Sequence, residues 1–167
     1  MRMFIWGLLL LTALVLQATL VPLIAVQGVR PDLLLLAVVS SGLLLGKEHG
    51  VGIGFFAGLL QDLASGNVFG VNVLSKMASG YIAGLLERKV FKENILLPIL
   101  AIVLATLFNG TITILLMLIF GHKLDLPSAA MSVAETALYN AILAVPMHRL
   151  VYSLAGITPT DSQGARK

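Results

Sequence analysis

The chain has 167 residues, 58% of them hydrophobic and only 11% charged, with a mean hydropathy of +0.99. Soluble domains carry about 25% charged residues, so this composition excludes a water-facing globular surface and points to a bilayer. The net charge of +3 and pI near 9.5 do not argue for nucleic acid, because a basic excess on a membrane chain marks its cytoplasmic loops. With no cysteine, disulfides and thiolate metal sites are excluded as well.

In the bilayer core the backbone must satisfy its own hydrogen bonds, as helices or as a closed barrel. The long unbroken apolar runs favour helices, since barrel strands would alternate. The first run, residues 4–26, is long enough to cross. Arg2 resembles the start of a signal peptide, but the run is too long and further spans follow, so an uncleaved first helix is expected. Arg30-Pro31-Asp32 then breaks the chain, with Asp32 as a plausible N-cap for the next helix.

Residues 33–45 and 50–65 are short runs separated by Lys47-Glu48-His49. At 1.5 Å per residue they reach only roughly 20–22 Å. They fit either two short crossings or a re-entrant hairpin, and the cost of placing Lys47, Glu48 and His49 at membrane depth favours crossings. Spans follow at 70–86, 95–120 and 128–154, with a charged loop over 87–94 and Pro98 and Pro146 as candidate kinks. Residues 155–167 read as a polar, disordered cytoplasmic tail after a single six-helix transmembrane domain, residues 1–154.

Basic residues set the orientation. With the N-terminus inside and six crossings, Arg2, Lys47, Arg88, Lys89, Lys92, Arg149, Arg166 and Lys167 lie inside, and only Arg30 and Lys123 outside. Eight against two places both termini in the cytoplasm.

Glycines recur every fourth residue at Gly42, Gly46, Gly50, Gly54 and Gly58, and again at Gly80 and Gly84. Small residues at this spacing let helix backbones approach closely where no hydrophobic effect acts between helices. The run Gly54-Phe55-Phe56-Ala57-Gly58-Leu59-Leu60-Gln61 is echoed 26 residues later by Gly80-Tyr81-Ile82-Ala83-Gly84-Leu85-Leu86-Glu87. Both helices need a small-residue face, and that suffices to explain the echo. Gly50, Gly54, Gly58, Gly66, Gly70, Gly80, Gly84 and Asn109 are the candidate helix-packing or partner-docking residues.

Polar stripes fall on the last two helices: Thr106, Asn109, Gly110 and Thr113 on one, and Ser132, Glu135, Thr136, Tyr139 and Asn140 on the other. Lipid cannot satisfy such faces, so they are expected to look into the bundle. Asp62, Lys76 and Glu135 lie about 6, 9 and 10 Å below the outer ends of their helices. Their matched depth suggests a buried charge group in which Lys76 pairs with Asp62, Glu135 or both. Such a group could fix helix register, carry a ligand or proton, or bind a partner. His49, His122 and His148 lie near helix ends, far apart, and read as interfacial residues. No nucleophile elbow, zinc-protease motif, phosphate loop or metal-spaced carboxylate cluster appears, so neither catalytic, cofactor-binding nor metal residues are assigned.

Arg30-Pro31-Asp32 followed by four leucines, then Gly54 through Asp62-Leu63 to Ser65-Gly66, Phe69-Gly70-Val71 and Leu74, resembles the bacterial rod-shape-determining MreD family. The likeness covers roughly residues 1–154, and Lys76 and Glu135 lie outside its motif. It implies a non-enzymatic scaffold of the cell-elongation machinery in the cytoplasmic membrane. Such a scaffold would hold the membrane helix of MreC, in a complex with MreB filaments, RodA and a class B penicillin-binding protein, and would help couple those filaments to peptidoglycan synthesis. The resemblance also implies a fold like the S components of energy-coupling-factor transporters, which provide the alternative: a subunit binding a vitamin or metal near the outer face. Against that alternative, the first helix lacks an Ala-x-x-x-Ala contact motif, and aromatics are only 7% of the chain.

Overall fold

A computed structural model describes residues 2–19, 21–25, 29–66, 68–86 and 96–155. The basic loop expected over 87–94 and the tail expected after 155 lie outside the described residues. Among the described residues there are six α-helices: α1 (Arg2–Thr19), α2 (Leu33–Leu45), α3 (Lys47–Ser65), α4 (Val71–Leu85), α5 (Leu96–Ile119) and α6 (Leu126–Ala155), with a 3-10 turn at Val21–Ile24 between α1 and α2.

The boundaries have local causes. The first helix stops at Thr19, short of the expected residue 26, and the chain tightens into a 3-10 turn around Pro22. A proline inside an α-helix removes a hydrogen bond and clashes with the carbonyl four residues back. Lys47, Glu48 and His49 form the first turn of α3 rather than a loop, because Gly46 alone makes the reversal at φ 88°. Pro98 falls in the first turn of α5, where no intrahelical N–H bond is lost, whereas Pro146 lies well inside α6.

α2 is the axis of the bundle. Ten of its thirteen residues are buried, as expected of a helix that is apolar all round, and it packs on each of the other five helices. One side joins Leu34, Ala37 and Val38 to Leu9, Leu10 and Ala13 of α1 and to Ile53 and Ala57 of α3. The other joins Leu35, Leu36, Val39 and Leu43 to Ala83, Ala101, Ile102, Ala105 and Ala144.

The closest packing is between α3 and α4. Gly46 and Lys47 lie against Gly84, Gly50 against Gly80, Gly54 against Lys76, and Gly58 against Val73. Each step of four along α3 is matched by about four back along α4, an antiparallel glycine seam. A Cβ at Gly54 would come within 2.6 Å of the Lys76 carbonyl, and one at Gly42 of α2 within 2.7 Å of the Gly80 carbonyl. Three short helices thus meet backbone to backbone, as small residues allow.

The outside is apolar. Phe55, Phe56, Leu100, Leu104, Leu138 and Ile142 are exposed. In the apolar stretches of α5 and α6, only 28% and 17% of residues are buried.

Candidate functional site

The loop before α2 and the loop before α4 lie beside the C-terminal end of α3, and each helix start is organised by one aspartate. At α2, Asp32 is the N-cap, and its Oδ1 accepts the Leu35 N–H at 2.8 Å. Other helices supply two further acceptors: Gln17 of α1 takes the Leu34 N–H at 3.3 Å, and Asn140 of α6 takes the Asp32 N–H at 3.0 Å. These are donors that a helix start leaves without intrahelical partners. Local capping and tertiary contact are therefore the same bonds here.

At α4 the capping group comes from another helix. Gly70, in the left-handed region at φ 97°, has no side chain to cap with. Asp62, on the last turn of α3 and only 3% exposed, reaches across the loop instead. Its Oδ2 accepts the N–H of Gly70 (2.8 Å) and of Val73 (3.2 Å). Its Oδ1 accepts the Asn72 N–H (3.1 Å) and the Asn72 side-chain amide (2.8 Å). The Val71 N–H is taken by the Val68 carbonyl, so all four orphan donors of α4 are satisfied. The negative charge also faces the positive end of the helix dipole.

The expected pairing of Lys76 requires correction. Lys76 is fully buried, and its Nζ donates to Asp32 Oδ2 at 2.6 Å, not to Asp62 or Glu135. Asp62 has both oxygens committed to α4. Glu135 is only partly buried on α6 and forms no ion pair among the described residues. Asp32 lay outside the depth comparison because it reads as a loop residue. It nevertheless marks the same end of the bundle, and its second oxygen is left over from capping. That unused acceptor beside the Arg30-Pro31 break was the available signal.

The polar interior continues from this pair. Asn140 donates through Nδ2 to Thr106 Oγ1 at 3.0 Å, and Thr106 Oγ1 donates to the Ile102 carbonyl at 2.7 Å. Ser79 of α4 lies 3.4 Å from Asn109 Oδ1 of α5. Thr106, Asn109 and Asn140 therefore face inward as the stripes suggest, whereas Ser132, near the start of α6, is exposed. Gly110 packs on Val133.

The candidate packing residues separate into two groups. Gly50, Gly54, Gly58, Gly80 and Gly84 are filled by the α3–α4 contact and offer no open groove. Gly66 and Gly70 are turn glycines at φ 63° and 97° with open space where a Cβ would stand. His49 and His122 are exposed, His148 is half-buried, and no metal-binding cluster occurs among the described residues.

A chain that buries lysine, aspartate, asparagine and serine while exposing phenylalanine and leucine is inverted for water and suited to lipid. Two of its helices, α5 and α6, are long and apolar enough to cross a membrane. The class is that of an all-helical membrane protein. The chain belongs to the MreD family: the family model described as rod shape-determining protein MreD matches residues 1–157. Its role is accordingly in rod-shape determination. No curated protein and no solved structure matches it.

Proposed function

We propose that this protein is a non-enzymatic scaffold of the cell-elongation machinery, crossing the bacterial cytoplasmic membrane six times with both termini inside. It binds the membrane helix of MreC. It acts in a complex with MreB, RodA and a class B penicillin-binding protein, and helps couple the filaments to peptidoglycan synthesis. Membership of the MreD family carries this reading. The internal polar groups support it, because Asp62 and Asp32 are bonded to helix starts and Lys76 to Asp32. These groups are consumed in holding short helices together. The eight-to-two distribution of basic residues supports the orientation. In that orientation Asp32, Asp62 and Lys76 lie in the outer half of the membrane.

With the α3–α4 seam filled, an incoming helix finds its surface on the exposed faces of α1, α5 or α6, where Leu8, Leu104 and Leu138 stand free. The test is purification of the tagged chain from native membranes followed by mass spectrometry. MreC should co-purify with wall-synthesis enzymes. Recovery of a transporter energising module, or of a bound vitamin, would replace this reading with that of an S component.

A further inference from the structure

Where α1, α2, α3 and α6 meet beside Asp32, they border an open pocket of about 530 Å³. Its polar lining comes from Gln17, Arg30, Asp32, Gln61, Ser65 and Thr136. Two observations set it apart from a packing gap.

The first is an acceptor without a donor. Gln61 Oε1 is buried and has no hydrogen-bond partner among the described residues. The backbone donors at the start of α2 are already committed: the Leu34 N–H to Gln17, the Leu35 N–H to Asp32 and the Asp32 N–H to Asn140. A buried acceptor left unmatched is costly, and such exceptions call for an explanation. Gln17, whose Oε1 is engaged by Leu34, keeps its amide N–H groups to donate.

The second is charge. Lys76 neutralises Asp32. Arg30 is exposed at the rim and forms no ion pair among the described residues. The pocket is therefore net positive. It lies at the ends of α1 and α3 and the start of α2, the outer side of the membrane in the proposed orientation, and extends to Thr136 inside α6.

We propose that the pocket binds the headgroup of an anionic phospholipid that carries free hydroxyls, a phosphodiester–polyol such as that of phosphatidylglycerol. Arg30 takes the phosphate. A headgroup hydroxyl accepts from the Gln17 amide and, once the Gln61 side chain turns its amide toward the pocket, donates to Gln61 Oε1, while apolar Leu14 and Ala64 border the glycerol backbone. An ethanolamine ammonium also donates to Gln61 Oε1, but it accepts nothing from the Gln17 amide, meets Arg30 as a like charge and finds the Asp32 carboxylate already taken. This site rests on the chain lying in a bilayer and is independent of MreC.

The test is native mass spectrometry of the full chain, purified in mild detergent and offered phosphatidylglycerol, phosphatidylethanolamine and phosphatidylcholine in equal amounts. One phosphatidylglycerol should be retained in preference. Arg30→Gln should reduce that preference about fivefold, the effect of one basic residue on an anionic lipid. Gln61→Leu should reduce retention too, while Lys123→Gln, in the exposed loop between α5 and α6, leaves it unchanged. Thermal melts of each variant establish that the fold is intact. Equal retention of the three lipids, indifference to both pocket substitutions, or an equal effect of Lys123→Gln would overturn the assignment. Soluble glycerophosphoglycerol binding as tightly as the lipid would overturn it in favour of a free phosphodiester. Loss of lipid preference with MreC still co-purifying sinks the pocket alone, leaving the scaffold reading standing.

Discussion

Lys76 and Asp32 are 44 residues apart in sequence and meet at 2.6 Å, with side-chain exposures of 0% and 14%. The aspartate divides its two oxygens between the start of its own helix and the lysine of another. Removing one member of a buried pair leaves the other charge uncompensated, at a cost of about 3–5 kcal/mol, whereas replacing both is often nearly neutral. Lys76→Met is therefore expected to lower the melting temperature sharply. Asp32→Asn/Lys76→Met should recover most of the loss, because asparagine still caps α2. Thermal melts of the two single variants and the double variant in nanodiscs check this, and additive losses would contradict it.

Asp62 holds three backbone N–H groups of α4 from outside that helix. Asp62→Ala should destabilise the chain by about 2 kcal/mol or more, at the upper end of a capping loss. Amide hydrogen exchange should quicken first at Gly70, Asn72 and Val73. Uniform loss of protection along α4 and α5 would show that the bond is not a local cap.

The glycine seam makes a position-specific expectation. At Gly80 a Cβ would fall on the Gly50 carbonyl, which is backbone and cannot turn aside, so Gly80→Ala must force α3 and α4 apart. A loss of about 1–3 kcal/mol is expected, the usual range for overpacking. Gly52→Ala has open space and should gain up to about 1 kcal/mol from helix propensity. Comparing the melts of the two variants checks the seam directly.

Orientation is testable with single cysteines in this cysteine-free chain. A cysteine at His122 should react with a membrane-impermeant maleimide on intact spheroplasts, and one at His49 only after permeabilisation. Both positions are exposed, so the reverse pattern would invert the topology.

Much of this arrangement is legible in the sequence because lipid makes composition decisive. The spacing of Gly50, Gly54, Gly58, Gly80 and Gly84 forecasts close helix packing, and the inward faces of Thr106 and Asn140 follow from their stripes. The partner of Lys76 is not legible by depth alone. Asp32 reads as a loop cap, and only the fold shows that one oxygen suffices for capping while the other meets α4. Asp62 was readable as a buried charge, but not as a cap for a helix that begins nine residues later, since periodicity carries no information about which orphan N–H groups a carboxylate will meet. Gly66 and Gly70 lie in the same motif as the packing glycines, and the reason for them is backbone conformation rather than contact.

The scaffold reading holds that Asp32 and Lys76 serve the bundle and nothing that passes through it. In cells depleted of their own copy, a folded Asp32→Asn/Lys76→Met protein present at wild-type levels in the membrane should restore rods of wild-type width. Round cells with the same amount of folded double variant would contradict the account, because the charges themselves would then be needed for function.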